Sequence, residues 1–348
     1  MKKYFYSLAT DQKNNFFAII IKVFLYIFSL IYGVIVFFNV CFYKISIFRS
    51  YKLNCVVISV GNITWGGTGK TPFLIELSNY LKNEGHKIAI LTRGYKSYKN
   101  IGDETALLKN NLKDVLVISG KNRLKNALIA LKEYSIDTII LDDGFQHYKI
   151  ARDLDIVLLD STNPFGNKNL IPRGILREPI SSLKRAHIFL LTKVDLVNQV
   201  MELEKKLTKI NPKAMILESR HAPIQIYDLK TNDTLNLDIL KNKNICSLSA
   251  VASPESFTKT LENLKAKIIL DFSFLDHHEY SLKEIENIIK ECRNKNIDTI
   301  VTTQKDAIKL KDFNLDLSNI KIFVLKIKLE ITENKEKLYD ELLSLYIR

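Results

Sequence analysis

A glycine-rich turn that ends in lysine and threonine is the segment of this sequence best suited to bind phosphate. Glycines let backbone N–H groups approach a phosphate closely, a lysine reaches the β- and γ-phosphates, and a threonine hydroxyl binds Mg²⁺. The turn directly follows an apolar run at 56–60, and it predicts a nucleoside triphosphate site made of Thr64, Trp65, Gly66, Gly67, Thr68, Gly69, Lys70 and Thr71.

One position departs from the phosphate-loop pattern G-x-x-x-x-G-K-[ST]. Thr64 stands where the pattern has its first glycine, so Gly66, Gly67 and Gly69 must supply the backbone freedom. An ordinary glycine-rich turn between a strand and a helix is the alternative. The helical apolar pattern of residues 73–81 directly after the turn favours the phosphate loop.

An apolar strand that ends in two carboxylates is the second candidate site. Residues 137–141 lead directly into Asp142 and Asp143. In nucleotide-binding proteins with a phosphate loop, an acid at the end of such a strand binds Mg²⁺ together with the Ser or Thr of the loop. Here the loop residue is Thr71. Because successive strand side chains face opposite sides, at most one of the two acids points at the metal if the strand stays regular. A polar turn after a strand is the alternative.

Two further segments have both a chemical and a structural interpretation. Asp103 opens a helical stretch, and its position favours a helix cap over a carboxylate beside the phosphate loop. Asp276, His277 and His278 are residue types that bind metal ions. Adjacent histidines seldom converge on one ion, however, and no third ligand is suitably spaced. A hydrogen-bonded Asp–His pair near the reacting groups is preferred, with a helix-capping loop as the alternative.

Alternating apolar strands and helices must position these candidates. The order is typical of a doubly wound parallel sheet, in which ligands bind at the carboxyl ends of the strands. A second, smaller α/β unit follows. The predicted domains are an N-terminal membrane-associated helix (1–50), a phosphate-loop domain (51–225), a second α/β domain (226–330) and a C-terminal helix (331–348).

The N-terminal part of the chain carries a membrane signal. Residues 23–43 are apolar and uncharged, and at ~1.5 Å per residue they nearly match a ~30 Å hydrocarbon core. Basic residues lie on both sides of this run, and Asp11 is the only acid among residues 1–52. This symmetry suits a helix that lies in the cytoplasmic leaflet as well as one that spans the bilayer. A buried core helix is the alternative.

Composition and charge limit the classes of protein and of partner that fit this chain. The chain has 348 residues, of which 47% are hydrophobic and 26% charged, so wholesale disorder is excluded. A net charge of +13 indicates an anionic partner, such as anionic lipid or a phosphorylated substrate. Nucleic acid is the least favoured partner, because no aromatic-interleaved basic run or zinc-finger spacing occurs. Four scattered cysteines fit a reducing compartment.

Two segments of the predicted sheet keep other functions open. Residues 163–179 form a loop rich in Pro, Gly and Arg that is too long to be a simple connector. Thr192-Lys193-Val194-Asp195 is similar to the base-reading N-K-x-D element of GTPases, with threonine in the asparagine position. A membrane-tethered GTPase switch is therefore an alternative. A non-catalytic scaffold that binds anionic lipid is another, but it leaves Lys70 unexplained.

Together these segments resemble the tetraacyldisaccharide 4'-kinase family of lipid A biosynthesis, over nearly the whole chain. That family also has threonine at the position of Thr64. Departures from its pattern are a short connection before Gly102, Gln304 in place of a frequent glutamate, and the glycine-poor segment 249–254. The motifs that carry the resemblance are the phosphate loop from Val60 to Pro72, Arg93-Gly94-Tyr95, Gly102-Asp103-Glu104, Asp142-Asp143-Gly144-Phe145-Gln146-His147, Leu176-Arg177-Glu178-Pro179, Asp276-His277 and Thr302-Thr303-Gln304-Lys305-Asp306.

The resemblance implies a P-loop NTPase-like fold and an ATP- and Mg²⁺-dependent lipid kinase. The implied reaction transfers the γ-phosphoryl group of ATP to the 4'-hydroxyl of a tetraacyldisaccharide 1-phosphate and gives lipid IVA. The expected place is the cytoplasmic face of the bacterial inner membrane. The expected partners are the acylated substrate and the membrane surface, with neither nucleic acid nor a protein partner.

The resemblance also assigns roles to individual residues. It implies that Asp103 is the catalytic base and is paired with His277. This role replaces the helix-cap interpretation of Asp103. Lys70 is expected to stabilise charge on the β- and γ-phosphates. The implied Mg²⁺ ligands are Thr71, Asp142 and Asp143, and the implied substrate contact is Arg177.

Overall fold

The computed structural model describes residues 2–94, 102–311, 313, 317 and 319–347, and of Asp103 it describes the backbone alone. Within these residues the helices are α1 (Lys2–Ala9), α2 (Phe16–Lys44), α3 (Lys70–Asn83), α4 (Asp103–Asn111), α5 (Arg123–Tyr134), α6 (Val200–Ile210), α7 (Pro254–Asn263), α8 (Leu282–Asn294), α9 (Gln304–Leu310) and α10 (Lys335–Ser344). The strands are β1 (Val56–Gly61), β2 (Ile88–Thr92), β3 (Leu116–Ser119), β4 (Thr138–Asp142), β5 (Leu154–Asp160), β6 (Ile188–Thr192), β7 (Met215–Asp228), β8 (Thr234–Leu235), β9 (Asn244–Ser249), β10 (Lys267–Ser273), β11 (Thr299–Thr303) and β12 (Lys321–Ile331).

The strands form one continuous sheet with two parallel halves. The first half has the order β3-β2-β4-β1-β5-β6-β7, and the second has the order β12-β11-β9-β10. The predicted doubly wound parallel sheet and the second α/β unit are therefore confirmed. The two halves meet where β7 and β12 pair antiparallel, and β8 adds a short antiparallel edge to β7. Since β7 runs through residues 225 and 226, the predicted domain boundary lies inside a strand, and the division into domains stays a prediction.

Both faces of the first half of the sheet carry apolar side chains that are buried under helices and loops. One face packs against α3 and also against α10. Leu338 and Leu342 of α10, and Leu345 directly after it, are buried in the same cluster. The C-terminal helix therefore covers the phosphate-loop half of the sheet, although the second half precedes it in the chain. The opposite face buries Phe145, Phe189 and their neighbours. This packing fixes the carboxyl ends of β1 and β4, where the candidate acids and the phosphate loop lie.

Helix α2 is long, apolar and largely exposed. It has 29 residues, so at ~1.5 Å per residue it is ~44 Å long, and it starts at Phe16, before the predicted run. Only 11% of its most apolar window is buried, and it is the one helix of the described residues long and apolar enough to cross a membrane. The core-helix interpretation is therefore wrong for this element. Exposed apolar surface on this scale marks an interaction site.

Candidate active site

The phosphate loop connects β1 to α3 in a conformation suited to an anion. Gly69 is the N-cap residue of α3, with φ of 84°, and no side chain caps the helix. Its first backbone N–H groups therefore have no capping oxygen and are left to a ligand. The buried hydroxyl of Thr68 also has no hydrogen-bond partner among the described residues. The loop thus offers polar donors to a bound phosphate, as the sequence predicts.

Lys70 lies between the phosphate loop and the acids that follow β4. Its Nζ is 3.2 Å from Oδ1 of Asn62 and 3.8 Å from Oδ1 of Asp143. Asn62 is buried and also donates from Nδ2 to the carbonyl oxygen of Thr64 at 2.9 Å. Asn62 therefore ties the loop backbone and the lysine together, a role that its place in the sequence does not reveal.

The two adjacent acids have different geometries. Strand β4 ends at Asp142, and Asp143 has a φ of 53°, so the strand does not continue through the pair. The next residue must be glycine, because a Cβ on Gly144 would lie 2.7 Å from Cβ of Leu141. The Oδ1 atom of Asp143 accepts a hydrogen bond from Nη1 of Arg177 at 2.6 Å. Asp143 is therefore directed at the cations of the site.

The pKa values of the two acids diverge accordingly. Burial, reinforced by the nearby Glu104 carboxylate, raises the pKa of Asp142 to about 7. Burial acts in the same direction on Asp143, but Lys70 and the Arg177 guanidinium outweigh it and hold its pKa well below the ordinary value. Asp143 is thus neutralised by protein cations, whereas Asp142 is a buried carboxyl group beside another acid. A bound cation near Asp142 would favour its charged form.

The donor set near the loop fits Mg²⁺. The hydroxyl of Thr71, the second residue of α3, and the carboxylates of Asp142 and Asp143 are hard oxygen donors, and Mg²⁺ commonly takes one or two carboxylates together with substrate phosphates. Among the described residues there is no group of three or more His, Cys, Asp or Glu side chains that could hold a metal by itself. The site thus suits a metal that arrives with a nucleotide, and a metal site at His277 and His278 finds no support.

Asp103 begins α4, but it does not occupy the cap position. Gly102 is the N-cap residue of α4, so Asp103 stands one position inside the helix and not at the cap position. The side chain of Asp103 lies outside the described residues, and its catalytic role and its pairing with His277 stay predictions. Helix α4 packs against α9, so the first turn of α4 lies beside the second half of the sheet.

Lys305 connects the first turn of α4 with the segment that carries His277. Its Nζ is 2.7 Å from Oδ1 of Asp276, 3.5 Å from Nε2 of His277 and 3.9 Å from Oε1 of Glu104. Glu104 directly follows Asp103 in the sequence, so the first turn of α4 and the segment of His277 meet at the same lysine. The motif around Lys305 contributes to the family resemblance, but its spacing gives no sign of this bridge.

The two adjacent histidines have separate environments. His277 Nε2 lies 3.7 Å from Oδ2 of Asp276, which is within ion-pair range but longer than a hydrogen bond. His278 instead contacts Glu284 at 3.2 Å and stacks on the ring of Phe274. Only His277 therefore belongs to the group around Lys305, and His278 joins α8 to the preceding loop.

Arg177 is brought to the site by a loop that lies on the phosphate loop. Its backbone N–H donates to the carbonyl oxygen of Ile63 at 2.7 Å, and Trp65 donates to Ile175 at 2.7 Å. Thr64 is buried, and its backbone forms an isolated antiparallel β-bridge with Leu176. Trp65, in contrast, is 60% exposed. In this structure the guanidinium of Arg177 pairs with Asp143, so its predicted substrate contact stays a prediction.

Two further residues contact the site from distant segments. Arg123 is buried at the start of α5 and donates from Nη1 to the carbonyl oxygen of Asp143 at 3.1 Å. His221, on β7, has a buried Nε2 without a hydrogen-bond partner among the described residues, and burial lowers its pKa to about 4. A Cβ on Gly69 would lie 2.8 Å from this nitrogen. No local pattern could have linked His221 to the phosphate loop.

The segment similar to a GTPase base-reading element supports the phosphate loop instead. The Thr192 hydroxyl donates to the carbonyl oxygen of Thr68 at 3.1 Å. Lys193 forms an ion pair with Asp160, and Asp195 is exposed. These contacts hold the loop backbone in place and supply no separate argument for guanine recognition.

Comparisons with known proteins agree on one family. Residues 21–346 match the family model described as LpxK, tetraacyldisaccharide-1-P 4'-kinase. A tetraacyldisaccharide 4'-kinase from Halothermothrix orenii is 34% identical and covers 89% of this chain and 90% of its own. One from Syntrophus aciditrophicus is 37% identical and covers 84% of each. The solved "apo" form of LpxK from Aquifex aeolicus in complex with ATP has a TM-score of 0.69 at 29% identity, and covers 93% of this chain and 99% of its own.

Proposed function

Because this chain belongs to the tetraacyldisaccharide-1-phosphate 4'-kinase family and is an ATP-dependent kinase of lipid A biosynthesis, we propose how its own residues carry out the reaction. The GTPase switch and the lipid-binding scaffold are set aside on the same comparisons. The phosphate loop and the two acids lie at the carboxyl ends of β1 and β4, and Lys305, at the start of α9, contacts Glu104 in the first turn of α4. These contacts support the proposal.

ATP binds along residues 64–71, with its phosphates on the N-terminus of α3. The uncapped helix start and the Thr68 hydroxyl support this placement, and the LpxK from Aquifex aeolicus was solved with ATP. Thr71, Asp142 and Asp143 would hold Mg²⁺. When bound, the ion supplies charge neutralisation between the β- and γ-phosphates.

Lys70 stabilises the negative charge that builds up on the transferred phosphoryl group. Its Nζ is already fixed by Asn62 and Asp143, so little reorganisation is needed when the nucleotide binds. Arg177 shares the same acid and adds a second cation at this position, where it can meet the substrate.

Asp103 accepts the proton of the 4'-hydroxyl group, with His277 beside it. An aspartate of ordinary pKa, ~3.9, is a weak base for a sugar hydroxyl, but a loose phosphoryl-transfer transition state demands little base strength. Lys305 supports this pairing because it contacts both the His277 segment and Glu104, the neighbour of Asp103.

The acceptor is presented at a membrane surface. The exposed apolar face of α2 and its basic flanks suit insertion into the cytoplasmic leaflet of the inner membrane. An acylated disaccharide phosphate is held in such a leaflet, so an enzyme anchored there meets it directly. Neither a protein partner nor nucleic acid is part of this proposal.

The test is transfer of labelled γ-phosphate from ATP to a tetraacyldisaccharide 1-phosphate in detergent micelles. We expect labelled lipid with the wild-type chain, at least a hundredfold less with Asp103→Ala, and full activity with Asp114→Ala, a matched change at an exposed aspartate. GTP as donor should give far less product. Unchanged turnover in Asp103→Ala would refute its role as base, and GTP hydrolysis without labelled lipid would refute the kinase assignment.

A further inference from the structure

Two hydroxyl-bearing side chains of α2 point towards the protein, in contrast to the exposed apolar side chains beside them. Ser29 is 4% exposed, and Tyr32 is half-buried one turn further along. Their neighbours Phe28 and Ile31 are 58% and 52% exposed. A serine and a tyrosine buried on a membrane-directed helix therefore need polar partners on the protein side, because an unpaired hydroxyl in an apolar environment is costly.

Both hydroxyl groups bind the backbone of the loop 169–177. Ser29 Oγ donates to the carbonyl oxygen of Leu170 at 2.6 Å and accepts from the backbone N–H of Arg173 at 2.9 Å. The Tyr32 hydroxyl donates to the carbonyl oxygen of Arg177 at 2.9 Å. A Cβ on Gly33 would lie 3.0 Å from Cδ1 of Leu170, so the helix and the loop approach each other closely here.

The same loop is attached to the phosphate loop on its other side. Its backbone bonds reach Ile63 and Trp65, and the Arg177 guanidinium lies 2.6 Å from Asp143 and 3.4 Å from Oδ1 of Asn62. Arg177 is therefore held at its carbonyl oxygen by α2, at its N–H by Ile63 in the segment after β1, and at its side chain by the acid that also faces Lys70. Arg177 thus connects α2 directly with the groups around the phosphate loop.

We propose that Ser29 and Tyr32 are positioning residues of the kinase reaction, because they hold the loop 169–177 so that Arg177 stays on Asp143. The proposal rests on the proposed function and extends it: α2 contributes to the active site as well as to membrane attachment.

The experiment uses the full chain in mixed micelles with ATP and a tetraacyldisaccharide 1-phosphate. Tyr32→Phe removes one hydroxyl and keeps the ring, and Tyr26→Phe is the matched control on the same helix, where the side chain is 48% exposed. We expect Tyr32→Phe to lower kcat about fivefold, the factor for one lost hydrogen bond, with unchanged micelle partition. Ser29→Ala, which loses two hydrogen bonds, should lower kcat further, and Tyr26→Phe should match the wild type.

Combination with Arg177→Ala tests the route of the effect. If Tyr32 acts through Arg177, Tyr32→Phe causes no further loss of kcat in the Arg177→Ala background. An equal loss in both backgrounds would overturn the proposal, as would a loss of micelle partition that accounts for the whole effect. An unaffected Tyr32→Phe with an active wild type refutes this inference alone, whereas a wild type without phosphoryl transfer refutes the proposed function.

Discussion

At the scale of single residues, Gly69 is the position where backbone conformation and packing restrict the site most. Its φ of 84° is unfavourable for any residue with a Cβ, and that Cβ would lie 2.8 Å from Nε2 of His221. We expect Gly69→Ala to raise the KM for ATP at least tenfold, because either the loop or the histidine must move. Steady-state kinetics with varied ATP measures this change.

Gly85 provides the matched control. It has a similar φ of 91°, but a Cβ there would meet no atom within 4 Å. Gly85→Ala should therefore cost about 1 kcal/mol of unfolding free energy and leave the KM for ATP unchanged. If both variants lose ATP affinity equally, backbone strain alone explains the effect and contact with His221 does not contribute.

The residue types at the phosphate loop and after β4 could be predicted because their chemistry is local. Lys70 and Thr71 follow the glycines directly, and Asp142 and Asp143 follow their strand directly. The opposite pKa shifts of these two acids could not be predicted, because Asp143 pairs with Arg177, which the loop 169–177 brings from a later part of the chain. The contacts of Lys305 and His221 at the site could not be predicted for the same reason, since only long-range pairing produces them.

At the scale of elements, Lys305 joins α9, the segment of Asp276 and His277, and the first turn of α4. Lys305→Met keeps most of the side-chain volume and removes the charge that bridges Asp276 and Glu104. We expect kcat to fall at least tenfold, because the acid and the histidine proposed for proton transfer are no longer held together. The KM for ATP should change less than twofold, since the phosphate loop is untouched.

Lys311→Met, at the exposed end of α9, is the control for this change. It alters charge and side chain in the same way but leaves the bridge intact, so kcat should stay at the wild-type value. A Lys305→Met variant with normal kcat and normal melting temperature would show that α4 and the His277 segment need no bridge. In that case the role proposed for His277 would lose its support.

Most helices and strands could be predicted because their apolar periodicity is local, whereas the junction between the two halves could not. Strand β7 pairs parallel with β6 in its first part and antiparallel with β12 in its second part. One strand therefore belongs to both halves, and no change of composition at residue 226 marks it. The attachment of α10 to the first half likewise depends on packing of Leu338 and Leu342, which sequence order does not reveal.

At the scale of the whole molecule, the net charge of +13 and the exposed apolar helix act on the same membrane surface. Attraction between basic residues and anionic lipid is screened by salt, with a Debye length of ~30 Å at 0.01 M and ~3 Å at 1 M, whereas burial of apolar side chains is not weakened in this way. The two contributions can therefore be separated by ionic strength. The basic residues at issue include Lys44, the last residue of α2, and Arg49, in the segment that follows the helix.

We expect sedimentation with vesicles rich in phosphatidylglycerol to weaken at least tenfold between low and high salt, and sedimentation with neutral phosphatidylcholine vesicles to stay nearly constant. A Lys44→Gln and Arg49→Gln double variant should lose most of the salt-dependent part, because each basic residue near the surface contributes ~1 kcal/mol. Lys290→Gln, at an exposed position of α8, should behave like the wild type. Binding to anionic vesicles that is independent of salt would show that the apolar face of α2 alone holds the enzyme, and the basic flanks would then need a different explanation.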